Sequence, residues 1–188
     1  NTNNGINTGD NEADSAYPMT VTDQSGRTVT IEKEPQKLVS GYYISTSAII
    51  ALDLKDKLVG IEAKADKRAI YKLAAPELID LPNVGTAKEF DLEGCAALEP
   101  DLVILPIKLK SAVETLEGLG IDVLLVNPEN QELLTSMIHM IAAATNTEDK
   151  AAELLGNEVL AIAAFAVCSQ FANWMVGGVF AVAFLLAG

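Results

Sequence analysis

Six basic side chains and two tyrosines draw notice by where they fall along the chain. Lys64, Lys67 and Arg68 follow the apolar run LVGI, Lys88 follows Asn83-Val84, and Lys108 and Lys110 follow DLVILP. Tyr42 and Tyr43 follow LVS in the same way. If these runs are strands of one parallel sheet, the segments behind them all leave from a single edge. Aromatic rings beside ammonium and guanidinium groups at such an edge suit a bulky anion with planar parts. Arginine grips a carboxylate with a fork of donors, and lysine supplies point charges. The ordinary alternative for any one lysine is a solvated surface position. The grouping is what points to a ligand.

Other chemistries find less support. With one histidine, His139, in the middle of a helical stretch, neither a Ser/His/Asp set nor an imidazole-based zinc or manganese site can be assembled. Cys95 sits in an apolar helical segment without a neighbouring base, so it reads as a core thiol rather than a nucleophile. Cys95 and Cys168 lie far apart and are expected to be two buried free thiols, not a disulfide or a metal pair. The many carboxylates fall on helix starts and turns, where solvation explains them. The chain is therefore expected to be a binding module with no catalytic residues, no resident metal and no cofactor. A net charge of −13 excludes a broad phosphate-binding face, hence a nucleic-acid partner. Positive charge gathered at one edge of so acidic a protein favours an anionic ligand.

The elements that must position these residues alternate between strand and helix. MTVTD and TVTI alternate with a period of two around Ser25-Gly26, which predicts a hairpin. LVS (38–40), LVGI (58–61), DLVILP (101–106) and VLLV (123–126) are continuous apolar runs, as expected for parallel strands covered on both faces. Helices are predicted from about Thr46 to Asp53 with Ser45 as cap, from Arg68 to Ala75, over DLEGCAALE with Asp91 as cap, after Ser111 up to Gly120, and from Gln131 through MIHMIAAAT. A further helix, EDKAAELL, follows the break at Asn146-Thr147-Glu148. No repeat and no glycine-rich phosphate loop is present.

Both ends depart from this pattern. Residues 1–16, NTNNGINTGDNEADSA, are polar and nearly without core-forming side chains, and they read as a disordered tether. From Val159 to Gly188 no residue is charged. That stretch is long enough to cross a bilayer, but Ser169, Gln170 and Asn173 interrupt it and no close Lys or Arg orients it. It is expected to be helical and packed on apolar surface.

Four blocks resemble a known family. TVTDQSGRTVTIEKEPQKLVS, STSAIIALDLKDKLVGIEA, LPNVGTAKEFDLEGCAALEPDLVILP and LEGLGIDVLLVNPENQELL are similar, in order and spacing, to the substrate-binding proteins of ABC importers for ferric siderophores, haem and cobalamin. The likeness runs from about Tyr17 to Leu155, and the VG…DLE…ALEPDLVI block is its most specific part. It implies a Rossmann-like, parallel-sheet α/β N-terminal lobe (17–146) of a two-lobed periplasmic-binding-protein fold, with 147–158 as the start of the long bridging helix and the second lobe missing. It also implies that the cleft of the first lobe is lined by Tyr42, Tyr43, Lys64, Ala87, Lys88, Pro106 and Lys108, with Lys67, Arg68 and Lys110 as a second rank. Basic residues there are typical of members that carry anionic ferric siderophores. Ala87 is too small to supply an aromatic stack. Glu93, in DLEG, falls where the family docks an acidic residue onto arginines of the permease. The ordinary role for Glu93 is charge complementarity at a helix start.

The expectation is therefore an extracytoplasmic, lipid-tethered solute-binding component that delivers a ferric siderophore or similar iron complex to an ABC permease. The alternatives are a cobalamin or haem carrier of the same family, and a membrane-anchored sensory or scaffold domain reusing this lobe. The resemblance implies a second lobe where 159–188 stand, so that stretch is expected to be a truncated or out-of-frame end in preference to a transmembrane helix. A lobe alone is an open half-site, and this chain is expected to hold its ligand weakly.

Overall fold

The computed structural model describes residues 16–156. The expectations for the tether and for the apolar tail lie almost wholly outside the described residues. Six strands and six α-helices follow in chain order: β1 (Met19–Thr22), β2 (Thr28–Ile31), β3 (Leu38–Ser40), α1 (Tyr43–Ala51), β4 (Leu58–Ile61), α2 (Ala69–Ala74), α3 (Leu92–Ala97), β5 (Leu102–Pro106), α4 (Val113–Gly118), β6 (Asp122–Val126), α5 (Gln131–Ala144) and α6 (Glu148–Gly156). The four predicted runs form one sheet in the order β4-β3-β5-β6, and every pairing in it is parallel.

Alternation along these strands divides the core in two. Leu38, Leu102, Ile104, Leu124 and Val126 face one side, where α1, α5 and the hairpin cover them. Val39, Val103, Leu105, Val123 and Leu125 face the other, against Cys95 of α3 and Val113 and Leu116 of α4. Burial on both faces explains why these strands are apolar at successive positions.

The hairpin β1–β2 is antiparallel, as expected, and its turn serves the sheet. Asp23, which is buried, accepts from Ser25 N, Arg27 N and Leu125 N, while Gln24 N donates to Leu125 O at 3.0 Å. The hairpin turn thus satisfies the free edge of β6, which would otherwise expose unpaired backbone groups.

Two expected caps are corrected. The first helix begins at Tyr43 with Tyr42 in the cap position, and Ser45 lies buried inside it, 2.7 Å from both Tyr42 O and Ser40 Oγ. The sequence between β5 and α4 is a 3₁₀ helix (Ile107–Ala112) that runs straight into α4, so Ser111 caps nothing. Asp91 does cap α3, accepting from Gly94 N at 2.8 Å, and Gly120 takes the left-handed conformation (φ 79°) just past α4.

Candidate functional site at the carboxyl edge of the sheet

Because β3, β4 and β5 run parallel, residues 41–43, 62–68 and 107–112 all emerge at the carboxyl edge. The segment 83–90 joins them there. Val84 N donates to Ile61 O and Ala63 N donates to Gly85 O, both at 2.8 Å, which lays this segment alongside the end of β4. The loop then folds back on itself through Thr86 N to Glu89 O (3.0 Å), and Thr86 Oγ1 accepts from Lys88 N and Glu89 N. All the sequence-predicted ligand residues are therefore carried on one edge.

Their environments differ. Lys64, Lys88, Lys108 and Lys110 are exposed and make no ion pair among the described residues. Lys64 holds a left-handed backbone (φ 69°), which turns the chain sharply from the end of β4 into a 3₁₀ turn. Such a conformation costs an L-residue roughly 1–2 kcal/mol. Lys108 and Lys110 ride on the 3₁₀ helix after β5, and Ala87 is half-buried beside Lys88. Lys67 is exposed but pairs with its neighbour Asp66 at 2.8 Å, so much of its charge is answered locally. Pro106 is buried as the last residue of β5, opposite Val126. Glu89 and Glu129 also lie at this edge, so it is not uniformly positive.

Arg68 is the most ordered of the cations. Its guanidinium carbon lies 4.3 Å from the centre of the Tyr43 ring and 6.0 Å from that of Tyr71. Tyr42 meets Tyr43 edge to face at 5.0 Å. Cation–ring stacking of this kind contributes about 0.5–2 kcal/mol, more as water is excluded. Arg68 Nε donates to Glu62 Oε1 at 3.0 Å.

Glu62 is the residue that sequence reasoning missed. It follows β4 directly, is only 4% exposed, and also accepts from Tyr71 Oη and Thr46 Oγ1, each at 2.7 Å. Burial pushes its carboxyl above the ordinary range, against the pull of the three donors. Burial and the adjacent carboxylate push the Tyr71 phenol up as well. The one available signal was a glutamate directly after an apolar strand and six residues before an arginine, which is weak. Cys95 is fully buried in α3, and burial, helped by Asp91, pushes its thiol up to about 11, which fits an inert core residue. His139 is exposed on α5, away from the edge.

Residues 38–162 match the family model described as "Periplasmic binding protein". The chain belongs to the periplasmic binding protein family. Among family relatives, an ABC transporter substrate-binding lipoprotein of Bacillus subtilis, YvrC, itself uncharacterized, is 33% identical over 144 residues, 74% of this chain and 43% of that protein. The Fe(3+) dicitrate-binding periplasmic protein FecB of Escherichia coli is 36% identical over 89 residues, 47% of this chain and 29% of that one. A periplasmic solute binding protein of Veillonella parvula superposes with a TM-score of 0.66 at 23% identity, covering 85% of this chain and 49% of that chain, which supports the fold. The chain thus spans less than half the length of the curated relatives it matches. The order of blocks that suggested this family in the sequence corresponds to the hairpin, the sheet and α3 as they are placed here.

Proposed function

We propose that this lobe forms one wall of the ligand cleft of an extracytoplasmic solute-binding component of an ABC importer, and that its ligand is a ferric siderophore or similar anionic iron complex. Binding is the whole of its task in this reading; no residue is assigned a catalytic role. The observation that carries it is the set of exposed cations and ordered aromatic rings on one sheet edge of a strongly acidic family member. Lys64, Lys88 and Lys108 would meet the anionic groups, with Arg68 and Lys110 behind them. Tyr42 and Tyr43 would pack on the organic face. Family membership with FecB, whose name records a ferric dicitrate ligand, supports the same chemistry. Glu93, exposed in the first turn of α3, would meet arginines of the permease. An N-terminal lipid tether is proposed by likeness to the Bacillus lipoprotein.

A single wall holds a ligand weakly, so the test must read weak binding. Isotope-labelled 188-residue chain is titrated with gallium(III) citrate, a diamagnetic stand-in for the ferric complex. Amide shifts are expected at 42–43, 64–68, 87–88 and 107–110. They should shrink as the screening length falls from about 30 Å at 0.01 M salt to about 8 Å at 0.15 M. Absence of shifts at millimolar ligand, or an equal response to a neutral corrinoid, would overturn the reading; the latter would favour a cobalamin carrier.

A further inference from the structure

Glu62 poses a physical question. A carboxylate only 4% exposed has given up most of its hydration, and the cost of that is seldom recovered from one ion pair. A well-packed apolar residue there would hold the sheet as well. The three donors that converge on Glu62 come from three different elements: Thr46 from α1, Tyr71 from α2, and Arg68 from the turn before α2. Thr46 Oγ1 also lies 2.8 Å from Ser40 Oγ at the end of β3, which ties the carboxylate to the sheet.

What this network fixes is the guanidinium. Arginine carries five N–H donors in one plane. The Nε donor of Arg68 is taken by Glu62, and the guanidinium carbon lies over the Tyr43 ring 4.3 Å from its centre. Tyr71 Oη, which donates to Glu62, also lies 3.3 Å from the backbone carbonyl of Tyr43, so the start of α1 and the carboxylate meet at the same hydroxyl. The two terminal nitrogens have no partner among the described residues. No buried side-chain nitrogen or oxygen there is unsatisfied, so both must reach solvent. Two constraints on the guanidinium thus leave its outer fork open.

We infer that Glu62 is a positioning residue, which holds Arg68 by Nε against Tyr43 so that the two terminal nitrogens form a preset fork for a carboxylate of the ligand. The inference rests on the proposed ligand-binding role and narrows it to carboxylate-bearing iron chelates. A fork grips a planar carboxylate through two parallel bonds, and a preset fork loses little freedom on binding. A chelate whose donors are all hydroxamates turns its paired oxygens to the metal and carries no free carboxylate.

The chain has two arginines, Arg27 and Arg68, so their Nε–Hε resonances are readily told apart. In the 188-residue chain the Arg68 Nε proton should exchange with water at least about tenfold more slowly than that of Arg27, whose Nε has no partner among the described residues. Glu62→Leu, which removes the acceptor at similar volume, should abolish the difference. In the gallium citrate titration, Glu62→Leu and Arg68→Lys should each weaken binding about tenfold, the double variant no further, and a trihydroxamate gallium complex should be unaffected. Rapid Arg68 exchange in the wild type overturns the positioning role. So does a further loss when Glu62→Leu is added to Arg68→Lys, since a merely structural glutamate would act in either background. A slow Arg68 proton together with no citrate binding by the wild type would sink the ligand-binding role and the carboxylate assignment, while the hold of Glu62 on Arg68 would stand.

Discussion

Gly85 offers the sharpest test of how the Lys88 loop is held. Its backbone is left-handed (φ 83°), and a Cβ built on it would lie 2.1 Å from Glu89 O and 3.0 Å from Asp91 N. Both obstacles are backbone, so no side chain can swing away. In Gly85→Ala the left-handed conformation alone costs about 1–2 kcal/mol. Relief of the overlap moves the Glu89 carbonyl off Thr86 N, to which it bonds at 3.0 Å, and losing that bond adds about 0.5–1.5 kcal/mol. The total is about 1.5–3.5 kcal/mol before any strain left in the loop. Gly26 is the control: its φ is 82°, but a Cβ added there would meet nothing within 4 Å. Gly26→Ala therefore carries the conformational cost without the collision. Urea unfolding followed by circular dichroism should place the Gly85→Ala midpoint roughly 0.8–1.7 M below wild type, for a slope of about 2 kcal/mol/M, and Gly26→Ala about half as far. Equal midpoints for the two variants would refute the collision, and with it the view that the 83–90 segment is locked to the end of β4.

Two further outcomes are expected. Because burial raises the Glu62 pKa, the folded state binds this proton more readily than the unfolded chain, and its contribution to stability falls as pH rises from the unfolded value of 4.5 toward the raised one. Glu62→Gln should therefore gain on the wild type in urea midpoint as pH rises above 4.5, and parallel curves would contradict the shift. Glu93→Ala should cost no more than about 0.3–1 kcal/mol of stability and leave the gallium citrate shifts unchanged; an accompanying loss of binding would move Glu93 from the permease face into the cleft.

Much of the fold was legible because strands covered on both faces leave an unmistakable mark. DLVIL and VLLV are apolar at successive positions, and that pattern alone predicted a parallel sheet and its two cores. Turn chemistry was legible where one residue decides it, as at Asp91 and Gly120. It misled where tertiary contacts outweighed a local preference. Ser45 looks like a helix cap, yet its hydroxyl is drawn into a buried cluster with Ser40, and the helix starts three residues earlier than that cap implies, without a side-chain cap. The candidate site was legible at the level of charge, since lysines behind strand ends must share an edge once the sheet is parallel. Its internal order was not. Arg68 meets Tyr43 across 25 positions and Glu62 across a left-handed turn at Lys64, and neither spacing follows a helical or strand period.

That order separates two contributions which charge counting would merge. Lys67 is answered by Asp66 and Arg68 by Glu62, so neither adds much to the field seen by an approaching anion. Attraction at a distance falls to Lys64, Lys88, Lys108 and Lys110, set against Glu89 and Glu129 on the same edge. Those lysines are exposed and screened by salt. In the proposed role the Arg68 fork, half-buried against the Tyr43 ring, would act only at contact, where screening matters little. Raising the ionic strength should therefore weaken capture by the lysines while leaving the geometric preference of the fork. A ligand that is merely anionic would be lost with salt, whereas one that also carries a planar carboxylate would keep part of its affinity. Under the proposed role, selectivity at this edge would be a property of the Glu62–Arg68–Tyr43 stack, and affinity mainly a property of the loops around it.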